Sequence, residues 1–483
     1  MNVHRARYTI CLVLCVSTVT GAAADKRNRG PERPEQPTQN STCNDVPDHS
    51  LDVILARPTQ DSVTLSVLAY QDTEGAIAYG TQHAQLTRQT PLRHFTAGTP
   101  VEVLLSGLRP NTQYFYQFRS RRLSAAQGTF HTQRAPNSTF TFTITADSHL
   151  DDRVSAELYQ RTLANALADA PDFHVDLGDT FMTEKHEDRE NAAKQYVAQR
   201  YYFGQLCRSA PLFLVLGNHD GESPRGRGSE ADSLAAWSNT MRKRYFPNPV
   251  PDAFYTGNGT KHPEVGLLED YYAWHWGDAL FVALDPFWFT QKQRGKKDNW
   301  KYTLGEAQYQ WLQRTLETSK AKLKFVFIHH LLGGADDQCR GGAEAAPLFE
   351  WGGRNPDGND AFRENRPGWS VPIHLLLLRN RVTAVFHGHD HLYAKQDLDG
   401  IVYQEVPQPG TPGGNKPPRF AQDYGYQSGV LLPSAGHLRV RVSHGTATVE
   451  YIRTHMPEDE RSGPRTTSVA HSYTIPARPT SSR

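Results

Sequence analysis

The chain has 483 residues, room for one large domain or two ordinary ones. Hydrophobic residues make up 38% and charged residues 21%, so most of it is expected to fold. Lys+Arg (52) nearly balance Asp+Glu (51), which removes any reason to expect bulk electrostatic binding of nucleic acid.

At the N-terminus, Arg5 and Arg7 precede an apolar run from Tyr8 to Thr20, and Ala22-Ala23-Ala24 offers small residues for cleavage. Residues 1–24 therefore read as a signal peptide, and the run is too short to span a bilayer comfortably. A secreted or periplasmic location is expected. Leu14 rather than a small residue precedes Cys15, so no lipid-attachment box is evident. No later segment approaches a spanning length, and no membrane span is expected after cleavage. Cys11 and Cys15 would leave with the signal. Cys43, Cys207 and Cys339 remain, enough for one disulfide but not for a disulfide scaffold. Residues 25–47, rich in Pro, Asn, Arg and Glu, read as a disordered linker.

An all-β pattern follows over residues 48–135. Leu51 to Leu55, Ser62 to Ala69 and Pro100 to Leu105 lie between turn residues as short strands do. From Leu108 to Tyr116 a turn runs into alternating aromatics, with a tyrosine placed to bond back across a sandwich corner. Gly128 to Thr132 is a closing strand. Arg134-Ala135-Pro136 marks a boundary, and over 138–455 strands alternate with helices. The strands are Thr139 to Thr145, Phe173 to Leu177, Leu212 to Leu216, Leu280 to Leu284, Phe325 to Ile328 and Val382 to Phe386. The helices are Ser155 to Ala168, Asn191 to Leu206, Gln308 to Thr318 and Pro372 to Arg379. Such alternation predicts a layered α/β domain. Leu438 to Val442 and Ala447 to Ile452 read as a hairpin, and the tail 456–483 has room for one added strand.

Five of these apolar runs lead at once into metal-binding residue types. They are followed by Asp147-Ser148-His149, Gly178-Asp179, Gly217-Asn218-His219-Asp220, His329-His330 and His387-Gly388-His389-Asp390-His391. In a layered α/β domain the carboxyl ends of neighbouring strands converge on one crevice, so five polar strand ends should meet there. Each motif alone is an ordinary turn or surface histidine. In order, after successive strands, they predict a metal site. Carboxylate oxygens and imidazole nitrogens suit first-row metals. There are too many ligands for one tetrahedral ion, whereas two ions sharing one carboxylate would use them all. Two-metal sites clamp a phosphate and generate hydroxide from water at neutral pH.

The order DxH, GD, GNHD, H and GHxH resembles the calcineurin-like metallophosphoesterase superfamily. The preceding β block resembles a fibronectin type III-like sandwich, and from about Leu51 to Ile452 the chain resembles the purple acid phosphatase branch. The resemblance implies an α/β fold, a four-layer β-sandwich flanked by helices and preceded by a small all-β sandwich. It implies that Asp147, His149, Asp179 and His391 hold one metal. Asp179, Asn218, His329 and His389 would hold the second, with Asp179 bridging. His219 would stand outside the ligand set, near the leaving-group oxygen, as proton donor or charge stabiliser. Asp220 would either orient His219 or serve as a structural cap. Purple acid phosphatases carry a tyrosine ligand three residues after the bridging aspartate. Here that position is Met182, and His149 fills the gap as in non-purple members. A fixed ferric ion is therefore not expected, and two divalent or mixed-valence ions of iron, manganese or zinc stay open.

The implied activity is hydrolysis of a small phosphate ester, mono- or diester, by an exported enzyme. A nucleotidase or cyclic-nucleotide phosphodiesterase is the alternative. A non-catalytic exported protein with a relict site is a third reading, against which the presence of all seven ligands stands. Trp237, Tyr245, Phe246, Tyr255, Trp288 and Trp300, between Glu222 and Lys301, are expected to pack the flank of the domain. Aromatic loops beside a phosphate site also hold sugars or bases. The loop from Gly333 to Trp369 offers Arg340 and Arg354 as phosphate-gripping candidates, and His330 is another. Nothing in the pattern sets an oligomeric state.

Overall fold

The computed structural model describes residues 44–478 apart from 124, 152, 187, 224–231, 292–297, 414–420 and 457–466. The expected signal peptide and nearly all of the expected linker lie outside the described residues.

The N-terminal β region contains β1 (Leu51–Ala56), β2 (Ser62–Ala69), β3 (Thr73–Gly80), β4 (Val101–Ser106), β5 (Gln113–Ser120) and β6 (Ala126–His131). β1, β2 and β4 form one sheet. β3, β5 and β6 form another with the short strands Arg88–Gln89 and Arg93–Phe95. Alternate residues of β5 (Tyr114, Tyr116 and Phe118) share a core with Val63, Leu65 and Val67 of β2. Arg109 N donates to Tyr114 Oη at 2.8 Å, which pins the turn ahead of β5. β3 is absent from the sequence expectations, because its glycines and alanines carry little apolar alternation.

Beyond Pro136 the chain builds two larger sheets and their helices. In chain order these are β7 (Phe140–Thr145), α1 (Ala156–Ala168), β8 (Phe173–Asp176), α2 (Arg189–Cys207), β9 (Leu212–Leu214) and α3 (Leu234–Tyr245). There follow β10 (Tyr272–Trp276), β11 (Ala279–Ala283), α4 (Glu306–Thr318), β12 (Leu323–Phe327), α5 (Ile373–Arg379) and β13 (Ala384–His387). The last elements are β14 (Tyr393–Leu398), β15 (Ile401–Glu405), β16 (Val430–Leu432), β17 (Gly436–Ser443), β18 (Thr446–Thr454) and β19 (Thr467–Pro476). One sheet has the order β9-β8-β7-β17-β18-β19. The other runs β10-β11-β12-β13-β15-β14-β16, with Thr256–Gly257 added beside β10.

The inner faces of both sheets meet in one aromatic core, where Phe142, Phe173 and Phe213 pack with Trp274, Phe281 and Phe325. The outer face of the first sheet is covered by α1, α2 and α3. The outer face of the second is covered by α4, α5 and the segments around them. This is the mixed α/β, four-layer arrangement that the sequence implies. The helices start where side chains cap them: Ser155 Oγ accepts from Leu158 N and the Asp188 carboxylate from Asn191 N.

β7, β8 and β9 run parallel, as do β11, β12 and β13. Within each sheet their carboxyl ends therefore open onto the same edge, which positions the loops described next. The aromatic hairpin β10–β11 is structural, with Trp274 stacked on Phe213 at 4.0 Å. The segment read as aromatic loop contains α3, whose residues are too polar to show a clear stripe. Cys207 and Cys339 are both buried. No helix among the described residues is long and apolar enough to cross a membrane.

Candidate metal centre

Each predicted motif sits in the turn leaving a parallel strand. Asp147 and His149 follow β7, Asp179 follows β8, Asn218 and His219 follow β9, His329 follows β12, and His389 and His391 follow β13. Five of these residues adopt the left-handed conformation: Asp147 (φ 58°), His149 (44°), Asp179 (54°), His389 (82°) and His391 (63°). Such backbone costs of order 1–3 kcal/mol per non-glycine residue and gathers at functional sites. Gly217 is required by proximity, since a Cβ there would lie 1.9 Å from Asp179 N and 2.3 Å from its Oδ1.

The side chains gather into two groups, Asp147 with His149 and His391, and Asp179 with His329 and His389. Within each group the donor atoms lie within 4.8 Å of one another. Asp147 Oδ1 is 3.6 Å from His149 Nε2 and 3.5 Å from His391 Nε2. Asp179 Oδ2 is 3.4 Å from His329 Nε2 and 3.5 Å from His149 Nε2, so one carboxylate oxygen faces both groups. These separations are too long for hydrogen bonds. They suit donors that each stand about 2.0–2.2 Å from a shared ion. Asp147 Oδ1 and both nitrogens of His149 are buried without a hydrogen-bond partner. Asn218 lies beside the second group, its Oδ1 3.0 Å from His329 Nε2.

The surroundings fix which atoms face inward. His329 Nδ1 donates to Leu177 O and His389 Nε2 to Gln338 O, both at 2.8 Å, leaving His329 Nε2 and His389 Nδ1 for a ligand. The Asp147 carboxylate accepts from His389 N at 2.8 Å, and Asp179 Oδ1 from His219 N at 2.7 Å. Burial drags His329 down, yet the Asp179 and Asp147 carboxylates outweigh it and hold its imidazole up at about 9. Burial and the neighbouring His329 push His389 down to about 3. The two carboxylates thus draw positive charge to the space between the groups, and the donor set fits first-row metal ions.

His219 stands apart from the two groups, its Nε2 3.9 Å from Asp179 Oδ2. Its Nδ1 donates to Glu184 Oε1 at 2.6 Å. Asp220, one of whose two expected roles was to orient His219, has its carboxylate occupied elsewhere. It accepts from the backbone N–H groups of Gly217, Asp179, Thr180 and Phe181 at 2.7–3.2 Å, which ties the turns after β8 and β9 together. The orienting contact falls to Glu184, on the short turn Thr183–Lys185 that begins at Met182. The sequence gives no sign of it, because Thr183-Glu184-Lys185-His186 reads as plain polar loop.

The other candidates lie off the two groups. Arg340 stacks over Tyr424 at 4.1 Å, and Arg354 belongs to a turn bridged to Leu348 and Asp360. His330 is buried, its ring 5.1 Å from Phe287 and 5.3 Å from His389.

Stacked sheets with these strand-end clusters are the architecture of a metal-dependent phosphoester hydrolase. A family model for calcineurin-like phosphoesterases matches residues 140–393, more than half of the chain, and the chain belongs to that family. Two solved structures share its fold. That of PhoD has a TM-score of 0.63 at 14% identity, covering 88% of this chain and 90% of that one. The purple acid phosphatase PPD1 from yellow lupin (Lupinus luteus) seeds has a TM-score of 0.56 at 14% identity, covering 89% of this chain and 74% of that one. No curated protein sequence matches the chain.

Proposed function

We propose that this chain is an exported hydrolase of small phosphate mono- or diesters with a dinuclear centre. Asp147, His149, Asp179 and His391 hold one ion, and Asp179, Asn218, His329 and His389 hold the other. The observation that carries this reading is the position of Asp179 Oδ2, nearly equidistant from His149 Nε2 and His329 Nε2. Two ions of iron, manganese or zinc held there would supply Lewis acidity to the phosphoryl oxygens and a nucleophile from water.

The chain's own residues do the rest. His219 faces the centre through Nε2 and delivers a proton to the leaving-group oxygen. Glu184 holds its Nδ1–H, which fixes the tautomer and the ring plane. Asp220 keeps the two turns in register. The strands of 48–135 and the sheets of 138–455 support two domains, the first fibronectin type III-like. The pattern of residues 1–24 supports export.

The test is a panel of alkyl and aryl phosphates, a diester, a nucleoside monophosphate and a cyclic nucleotide, assayed with added iron, manganese or zinc. The proposal expects turnover of simple esters with about two ions per chain. A preference for the nucleotides would move the reading to the nucleotidase alternative. No turnover with two ions bound would end it.

A further inference from the structure

Where β6 meets the C-terminal ends of α1 and α2, the two halves of the chain press together and leave a crevice. Tyr116 Oη donates to Arg208 O at 2.7 Å, and Thr129 N to Ser209 Oγ at 3.3 Å. Gly128 makes the approach possible, since a Cβ there would lie 2.0 Å from Arg208 O. Beside these contacts the walls enclose a cavity of about 660 Å³, within the usual range for small-molecule sites.

Its lining is unusual in a chain whose charges balance. His83, Gln117 and Arg119 come from the N-terminal region, Arg208 and Ser209 from the end of α2, and no carboxylate borders the space. Several arginines elsewhere in the chain are satisfied. Arg134 pairs with Asp172, Arg57 pairs with Glu102 and Glu269, and Arg88 donates to the carbonyls of Gly107 and Ser106. Among the described residues Arg119, by contrast, is joined only to the neutral amide of Gln117, at 2.9 Å. The Arg208 side chain has no hydrogen-bond partner among the described residues. Phe115 supplies an apolar wall. Two unpaired guanidiniums and an imidazole beside an aromatic ring match a phosphate dianion, free or carried on a small organic body.

The cavity is remote from the metal centre. α1 and α2 end where β8 and β9 begin, whereas Asp179 and Asn218 follow the opposite ends of those strands.

We infer that this crevice is a second anion site, binding a phosphate group between Arg119 and His83 on one side and Arg208 on the other, and so clamping the two halves of the chain. The test is calorimetric titration of the full metal-loaded protein with phenylphosphonate, which carries the dianion but no hydrolysable ester, and with inorganic phosphate. Two sites per chain are expected, one of them the metal centre. In R119Q the second site should weaken about tenfold or more, and in R119Q/R208Q it should vanish. Turnover should stay within about twofold of wild type in both. Arg119 is exposed on β5, so R119Q is expected to melt like wild type and decides the matter if the double variant does not fold. Binding of phenylphosphonate but not phosphate identifies an organic ligand, and the converse identifies the free ion. A single site in wild type, or a second site undiminished in R119Q, overturns the inference.

Discussion

In the group of Asp179, His329 and His389, each imidazole spends its outward nitrogen on a backbone carbonyl, Leu177 O or Gln338 O. In the group of Asp147, His149 and His391 the residue types are the same, but His149 has neither nitrogen hydrogen-bonded. Outside both groups, the Asp151 carboxylate stands 3.6 Å from His149 Nδ1. One half of the centre is preorganised by its surroundings, and the other is held mainly by the carboxylates it would share with an ion. The same Asp-His-His set can thus make sites of different grip, because partners outside it fix tautomer and ring plane.

The strongest test removes what the halves have in common. Asp179→Ala takes away the oxygen facing both groups and leaves two cation sites with less negative charge between them. Metal content should fall from about two ions per chain to below one, with turnover lost to background. Elemental analysis beside kinetics reads both. Retention of two ions would break the bridging assignment.

His219→Ala should separate chemistry from metal binding. Metal content is expected to stay at two, while kcat falls by roughly 10²–10⁴, the usual contribution of a positioned acid. The drop should be larger for an alkyl phosphate than for an aryl one, whose leaving group needs the proton less. Glu184→Gln keeps the acid and loses only its orienting charge, so a smaller decrease of about tenfold is expected. Loss of an ion in the first variant would make His219 a ligand.

The difference in grip predicts an order of release. During slow chelation the first ion to leave should come from the His149 group, with an affinity gap of about tenfold to a hundredfold. His149→Ala should abolish that early phase and keep the late one. His329→Ala should do the reverse. Release of the two ions in a single phase would remove the distinction.

The centre was legible in the sequence for a simple reason. Its residues follow short, continuously apolar parallel strands, and such strands announce both themselves and the loops at their carboxyl ends. The seven residues proposed as ligands lie at the strand ends where that logic puts them. Glu184 was not legible, and the sequence left Asp220 between orienting His219 and capping, since both depend on how the turns after β8 and β9 fold onto each other. α3 was hidden for a related reason. Its buried face is largely polar, with Asn239 and Arg242 hydrogen-bonded to Glu222, so no apolar period appears. β3 was hidden by its small residues.

A third histidine environment sharpens the contrast with the ligand imidazoles. His174, on β8, lies between Thr143 Oγ1 and Thr145 Oγ1, each 2.9 Å from a ring nitrogen. No carboxylate draws charge to it, and burial, helped by the nearby His437, pushes it down from 6.5 to about 3. The folded protein therefore keeps this ring neutral, while the unfolded chain takes up a proton below pH 6.5. Between about pH 6.5 and 3 the unfolded state binds more protons, so stability is lost as the pH falls through that window. In His174→Asn an amide replaces the ring between the same hydroxyls and does not titrate. Chemical denaturation at a series of pH values should give wild type a steeper acid decline than the variant, by up to about 1.4 kcal/mol per pH unit. The variant loses some packing at every pH, so the slope and not the offset carries the test. Parallel declines would mean that the ring is protonated in the folded state, with one threonine turned to accept from it.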